Sequence, residues 1–312
     1  MDVSIIIVSR NTCALTRDAI QSVVESRDSL AKEIFVVDNG STDETPTTFP
    51  REFPSLRLIR SENNLGFARA CNLAAKQSGG EFLLLLNSDA RLEPDALAKS
   101  ISHMRVNPDC AVAGAQLLNA DGSRQNSIAN FPTLATELLN KSLLRRLWPK
   151  RFQGKEQTYT SPIDIETVVG AFMLIRKSIW DKLGGLDERY FFFFEETDFC
   201  LQAHQKKFRI VHLPDVYVLH RQGQTAKQIS VGARIEYWRS RYIFFKKNYC
   251  VSTRVILAIG LWLRLLVDCL AAGILTAATF GKNQRWLSRW KICSALVGWH
   301  LRGCPPGDGL PK

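Results

Sequence analysis

An α/β fold, with a mostly parallel sheet flanked by helices, is the class this sequence predicts, on three observations. Strand and helix signals alternate four times before residue 107, the pattern of consecutive β-α units in one sheet. The fourth strand signal, Phe82 to Leu86, is five apolar residues in a row. It leaves no side for solvent and belongs in the middle of a sheet. That run stops on Asn87-Ser88-Asp89, and an acid at the carboxyl end of a buried strand sits where open α/β sheets bind ligands.

In chain order, strands are expected over Val3 to Val8, Glu33 to Asp38, Leu56 to Arg60 and Phe82 to Leu86. Helices with polar starts follow near Leu15 to Glu25, Thr42 to Phe49, Phe67 to Gln77 and Pro94 to Val106. Cys110 to Ala115 reads as a fifth strand, and Asp121-Gly122 as a hairpin turn after it. Residues 129–163 contain Pro132, Pro149, Pro162 and a basic cluster from Lys141 to Arg151, and read as a long surface loop. Beyond it come a strand, a short helix stopped at Gly184-Gly185, a helix from about Glu195, and two short strands ending at His220.

With 312 residues and 46% hydrophobic content, the chain can bury one large core or two smaller ones, which excludes large-scale disorder. Its charge is uneven. Residues 200–312 hold 18 basic and 4 acidic side chains, a formal +14, whereas residues 1–199 sum to about −3. Such a basic region suits an anionic surface, nucleic acid or membrane. Within it, Val255 to Phe280 carries no charge except Arg264 and Asp268, which are spaced to pair on a helix. The uninterrupted apolar pieces are too short to span a bilayer cleanly, so an interfacial helix is expected. Eight cysteines without a C-x-x-C spacing suit a reducing cytosol, and MDVSIIIVSRN reads as a first strand rather than a signal peptide.

Several short stretches could carry chemistry. VVDNGSTDET ends the second strand: a turn and helix cap would use these residue types, and so would a site in which Asp38 binds a nucleobase. In SENNLGFARACN, Asn64-Leu65-Gly66 precedes a helix, where a glycine lets backbone N–H groups approach a phosphate; a capping turn explains the same residues. The chain has no G-x-G-x-x-G, which counts against a nicotinamide or flavin enzyme. Asn87 and Asp89 could hold a hard divalent cation or cap a helix. In FFFFEETDFC, Glu195, Glu196 and Asp198 fall in a first helical turn, which alone stabilises acids. The phenylalanines before them would also raise a carboxylate's proton affinity, as a general base requires. His220, after VYVL, is a packed core histidine or a metal ligand.

Taken in order, IIIVSRN, VVDNGSTD, NNLGFARACN, LLLLNSD and the run from GAFMLIRKSIW to VYVLH resemble a family 2 glycosyltransferase of the GT-A fold, and most of all its rhamnosyltransferase-type branch. The resemblance covers roughly residues 3–225. It implies a nucleotide-sugar donor whose diphosphate and Mg2+ or Mn2+ sit at Asn87-Ser88-Asp89. It also implies that Asp38 binds the base, that Ser9 to Asn11 line the same pocket, and that Asn64, Gly66 and Asn72 lie near the nucleotide sugar. Asp89 and His220 would hold the metal and Glu196 would be the catalytic base. Two positions depart from the family pattern. Asn87 replaces the first aspartate of the D-x-D motif, as this branch resembles in doing, and removes a charge from the metal site. Glu196 replaces an aspartate, which leaves Asp198 a rival for the base.

The expectation is an inverting transfer of a sugar, with rhamnose suggested by resemblance, to a hydroxyl of a glycan or polyprenyl-linked acceptor in cell-surface polysaccharide synthesis. Residues 1–225 would form the GT-A domain, nucleotide-binding over 1–115 and acceptor-binding and catalytic over 116–225. The basic helical region 226–312 would hold it, as a peripheral or monotopic protein, on the cytosolic face of the cell membrane. Two other classes compete. A nucleic-acid-binding protein would use the basic region, but the apolar segment inside that region suits lipid better, so no nucleic acid is expected. A catalytically inactive scaffold would account for Asn87 and Glu196.

Overall fold

The computed structural model describes residues 1–154, 157–221 and 231–311. The expected alternation is present: β1 (Val3–Ser9), α1 (Cys13–Val24), β2 (Lys32–Asn39), α2 (Thr45–Glu52), β3 (Arg57–Ser61), α3 (Phe67–Ala75) and β4 (Phe82–Asn87). β1 pairs in parallel with β2 and with β4, and β2 with β3. The apolar run of β4 needs two cores because its side chains alternate across the sheet. Leu84 and Leu86 pack into one layer with Ile5 and Ile7, while Leu83 and Leu85 pack into the other with Ile6.

The chain continues through β5 (Ala90–Leu92), α4 (Ala96–Val106), β6 (Cys110–Leu118), β7 (Ile128–Ala129), α5 (Leu134–Leu138), α6 (Lys141–Leu147), β8 (Ile163–Asp164), β9 (Thr167–Val168), β10 (Phe172–Arg176), α7 (Lys177–Leu183), α8 (Glu195–Gln205) and β11 (Arg209–His220). Among the described residues the main sheet has nine strands, in the order β3-β2-β1-β4-β10-β6-β11-β5 with β8 beside β11. It is parallel through β3-β2-β1-β4 and mixed beyond, because β10 enters antiparallel between β4 and β6. The two halves of the chain therefore share one sheet.

Three local expectations are corrected. The two short strands before His220 are one strand, β11, whose register slips between Leu213 and Tyr217. Pro214 lies in that slip, where its missing N–H breaks the ladder. The loop over 129–163 contains two short helices, α5 and α6; α5 is started by a capping box in which Thr133 and Thr136 exchange hydrogen bonds. Arg264 and Asp268 do not pair with each other. Asp268 binds Arg289 at 2.8 Å and the Arg264 guanidinium donates to the Glu137 carbonyl at 3.4 Å, because each faces a different neighbouring helix.

The remaining helices are α9 (Val231–Asn248), α10 (Val251–Ala278) and α11 (Gln284–Leu301). The expected domain boundary at residues 225/226 falls outside the described residues. α9 is joined to the sheet domain by an aromatic cluster in which Phe244 and Phe245 pack with Tyr190 and Phe194. Two ion pairs reinforce it: Lys247 with Asp198 at 2.6 Å, and Arg241 with Glu137 at 2.9 Å. α10 has 28 residues, about 42 Å of helix. Its length and composition would let it cross a membrane, its most apolar 18 residues having a mean hydropathy of 2.2.

Candidate functional site

Parallel β1 and β2 lie in register with Ser9 opposite Asp38, so both open on the same edge of the sheet. Ser9 is buried and its hydroxyl is shared with Thr12 and Thr16, which pins the start of α1 to the strand. Asn11, in a left-handed conformation at φ 55°, receives the Thr42 amide at 2.7 Å and donates its own to Ser41 at 3.0 Å. Asp38 is buried and accepts the Ser41 amide at 3.0 Å. These contacts shape one loop, residues 38–43, around the end of β2.

Asn39, not singled out from the sequence, ties the next loop to this one. Its oxygen accepts the Leu65 amide at 2.7 Å and its nitrogen donates to Asn64 Oδ1 at 2.8 Å. Gly66 has φ 80°, and a Cβ there would stand 2.4 Å from the Phe191 carbonyl oxygen. That same carbonyl accepts the Phe67 amide at 2.8 Å. Only glycine fits so close an approach, which fastens the start of α3 to the segment before α8. Asn64 also donates from Nδ2 to the Pro311 carbonyl at 2.6 Å. Asn72 spends both ends of its amide on the Leu186 backbone, at 3.0 and 2.8 Å, and so staples α3 to the chain beyond Gly185.

At the carboxyl end of β4, the three-residue β5 was not expected, and it decides the geometry. It pairs with β11 so that Ala90 lies opposite His220, which brings Asp89 Oδ1 to 3.3 Å from His220 Nε2. Gln125, buried and missed by the sequence reading, completes a chain. Its Nε2 hydrogens go to the His220 carbonyl at 2.6 Å and Asn119 Oδ1 at 2.8 Å. Its Oε1 is therefore the atom facing His220 Nδ1, at 3.0 Å, and must accept. From this network the ring proton is assigned to Nδ1. Nε2 then faces a carboxylate oxygen, a contact satisfied either by a proton on Nε2 or by a cation held between the two groups. The donor set, one imidazole and one carboxylate, suits a divalent cation. Among the described residues no group of three or more His, Cys, Asp or Glu side chains gathers, so further ligands would come from outside this set.

α8 begins with the acids, after Phe193 and Phe194 in left-handed conformations at φ 71° and 73°. Bulky residues adopt that conformation at a cost of about 1–3 kcal/mol each. Aromatic packing holds them there: Phe193 and Phe194 both lie on Tyr237, and Phe194 on Phe244. Glu195 is 5% exposed. Burial, then the neighbouring Glu196 and Glu236, push its carboxyl well above the usual range. Burial raises Glu196 as well. Asp198, fully buried, accepts from Lys247 at 2.6 Å, Gln202 at 2.8 Å and the Tyr190 hydroxyl at 3.2 Å. Its oxygens are occupied by the protein.

The two ends meet at Gly170-Ala171. A Cβ on Gly170 would touch the Glu196 side chain at 3.7 Å, and the next residue, Ala171, accepts the Asn87 amide at 3.1 Å. A half-buried acid with raised proton affinity and the end of β4 thus adjoin the same dipeptide.

A model of glycosyl transferase family 2 matches residues 4–184. The chain belongs to that family. This glycosyltransferase is 26% identical to the N-acetylglucosaminyl-diphospho-decaprenol L-rhamnosyltransferase of Mycobacterium tuberculosis, over 71% of its own length and 78% of that protein. It is 24% identical to the dTDP-rhamnosyl transferase RfbF of Shigella flexneri, over 69% and 71% of the two chains. Among solved structures it resembles the mannosyltransferase PcManGT of Pyrobaculum calidifontis, in complex with GDP-Man and Mn2+. The TM-score is 0.57 at 15% identity, over 96% of this chain and 86% of that one. The glycosyltransferase therefore has the GT-A fold. The family match ends before Glu196 and His220.

Proposed function

We propose that this glycosyltransferase moves a sugar, with inversion, from a nucleotide diphosphate donor to a hydroxyl of a lipid-linked glycan in cell-surface polysaccharide synthesis. dTDP-rhamnose is the donor to test first, since RfbF is named for it and the M. tuberculosis relative is named a rhamnosyltransferase acting on a decaprenol diphosphate. The observation that carries the reading is the meeting of Asn87 and Glu196 at Gly170-Ala171, a leaving-group end and an acid end on one edge of the sheet.

In this reading Asp38 accepts from the nucleobase at the end of β2. The Asn64 to Gly66 turn, held by Asn39, lines the nucleotide's sugar side. Asn11, Ser9 and Asn72 build the walls rather than touch the donor. Mg2+ or Mn2+ would be held by Asp89 Oδ1 and His220 Nε2, with Asn87 beside it, and would neutralise charge on the departing diphosphate. Glu196 takes the proton of the acceptor hydroxyl as that oxygen bonds the anomeric carbon. The bond from that carbon to the diphosphate breaks on the opposite side, its electron pair leaving with the phosphate oxygen, so one displacement inverts the centre. Glu195 stays protonated, so the pair holds one negative charge at a time.

The domain assignment follows: residues 1–225 as the catalytic GT-A domain, and 226–312 as its attachment to the cytosolic face, where a polyprenyl diphosphate acceptor is anchored. Incubation with a panel of nucleotide sugars, Mg2+ or Mn2+ and a polyprenyl-diphosphate-linked N-acetylglucosamine tests the proposal. Transfer from dTDP-rhamnose with inverted anomeric configuration is expected. No transfer and no donor hydrolysis with any nucleotide sugar would make the chain an inactive scaffold.

A further inference from the structure

α10 is apolar on two opposite faces, and only one of them is covered. Leu257 and Leu261 pack inward on the cluster of Tyr190, Phe194, Phe244 and Phe245, and Leu265 packs on Leu296 and Trp299 of α11. On the other side Ile256, Ile259, Leu263, Val267, Leu270 and Ile274 are each 52–68% exposed. Their spacing of three and four residues makes one continuous stripe along roughly 27 Å of helix. One end of the stripe is rimmed by aromatic and basic side chains. Phe280 projects just past the end of the helix, 89% exposed, Lys282 and Arg285 are exposed beyond it, and Trp290 of α11, also exposed, packs beside Gly273.

We infer that this stripe is a membrane-docking face, and that α10 lies in the plane of a leaflet rich in anionic phospholipid instead of crossing the bilayer. The partner is read from charge: an apolar face beside cations and tryptophan matches acyl chains below anionic headgroups. The orientation is read from packing. A spanning α10 would draw α11 with it, and α11 carries Arg285, Arg289 and Lys291, with Arg289 already paired to Asp268 at 2.8 Å. Lying flat leaves those cations at headgroup level and immerses the uncovered stripe alone. The aromatic layer beneath α10 is also the layer that seats Phe194 ahead of Glu195 and Glu196, so the lipid plane and the acids share one wall.

The inference deepens the proposed location at the cytosolic face and rests on that part of the reading; it does not depend on which sugar is transferred. Co-sedimentation of the full chain with phosphatidylglycerol and phosphatidylcholine vesicles tests it. Binding to the anionic vesicles is expected, reduced at least tenfold in Leu263→Glu/Val267→Glu, with unchanged circular dichroism. Lys282→Gln/Arg285→Gln should lose the preference for the anionic lipid. A membrane-impermeant maleimide added outside the vesicles should reach both Cys250, exposed just before α10, and position 284, exposed beyond its other end, in Gln284→Cys. Protection of one of these sites would mean that α10 spans, and would overturn the in-plane orientation. Binding unaffected by the stripe variant, or a dimer without lipid that the stripe variant dissociates, would overturn the docking face. All of these readings are independent of turnover, so they stand or fall apart from the proposed chemistry.

Discussion

Glu196 and Asp198 lie two residues apart in α8, yet their surroundings differ. Asp198 is saturated by Lys247, Gln202 and Tyr190, whereas Glu196 sits against Gly170, the residue before the partner of Asn87. Glu196→Gln should therefore lower turnover by roughly 100 to 10,000-fold with donor binding nearly unchanged. Asp198→Asn should act mainly on thermal stability. Steady-state kinetics and a melting curve on each variant check both. Gln125 gives a second prediction. Gln125→Leu removes the acceptor that holds the His220 proton on Nδ1, so Mn2+ affinity should fall by about 10 to 100-fold. Paramagnetic resonance of free Mn2+ measures this without turnover. Asp38, Asp89, His220 and Glu196 could be nominated from the sequence because motif spacing marks them. Asn39, Gly170 and Gln125 could not, since their roles come from partners 26 to 95 residues away. Motif reading also pointed at Ser9 and Asn72, whose polar atoms are hydrogen-bonded within the protein, partners that a sequence pattern does not display.

At the level of elements, the strands and helices of the first 106 residues other than β5 were legible because burial forces apolar runs in β1, β2 and β4 and polar residues precede the helices. β5 escaped notice, since three residues carry no periodicity, and α5 and α6 escaped for the same reason. The continuity of β11 was hidden by Pro214. The most exposed dependence between elements is the grip of α9 on α8. Lys247 contacts two acids, Asp198 at 2.6 Å and Asp187 at 2.8 Å, and its side chain is 22% exposed against 1% for Asp198. Lys247→Ala would leave Asp198 buried without its cation, a loss of about 3–5 kcal/mol. Chemical denaturation should show it as a lower midpoint. Lys247→Arg, which keeps the charge, should recover part of the loss.

For the whole molecule, the buried acids set how stability follows pH. The folded-state pKa of Glu195 is raised by burial and by Glu196 and Glu236. Its neutral form therefore contributes stability that is complete below the usual glutamate range and is lost as pH rises through the raised value. Each unit between the two pKa values is worth about 1.4 kcal/mol. Glu195→Gln should melt higher than the parent at neutral pH and alike at pH 4, which a series of melting curves would show. The single sheet also fixes which end of the molecule is safe to alter. The Met1 carbonyl accepts the Glu81 amide where β1 and β4 begin, roughly 20 Å of strand from Ser9 and Asn87. The Pro311 carbonyl, by contrast, rests on Asn64 in the wall of the proposed donor pocket. An affinity tag fused ahead of Met1 should leave donor KM as in the untagged protein. The same tag fused at the carboxyl end, next in sequence to the Pro311 that touches Asn64, should raise that KM severalfold, so its removal by a protease would work as an activation step.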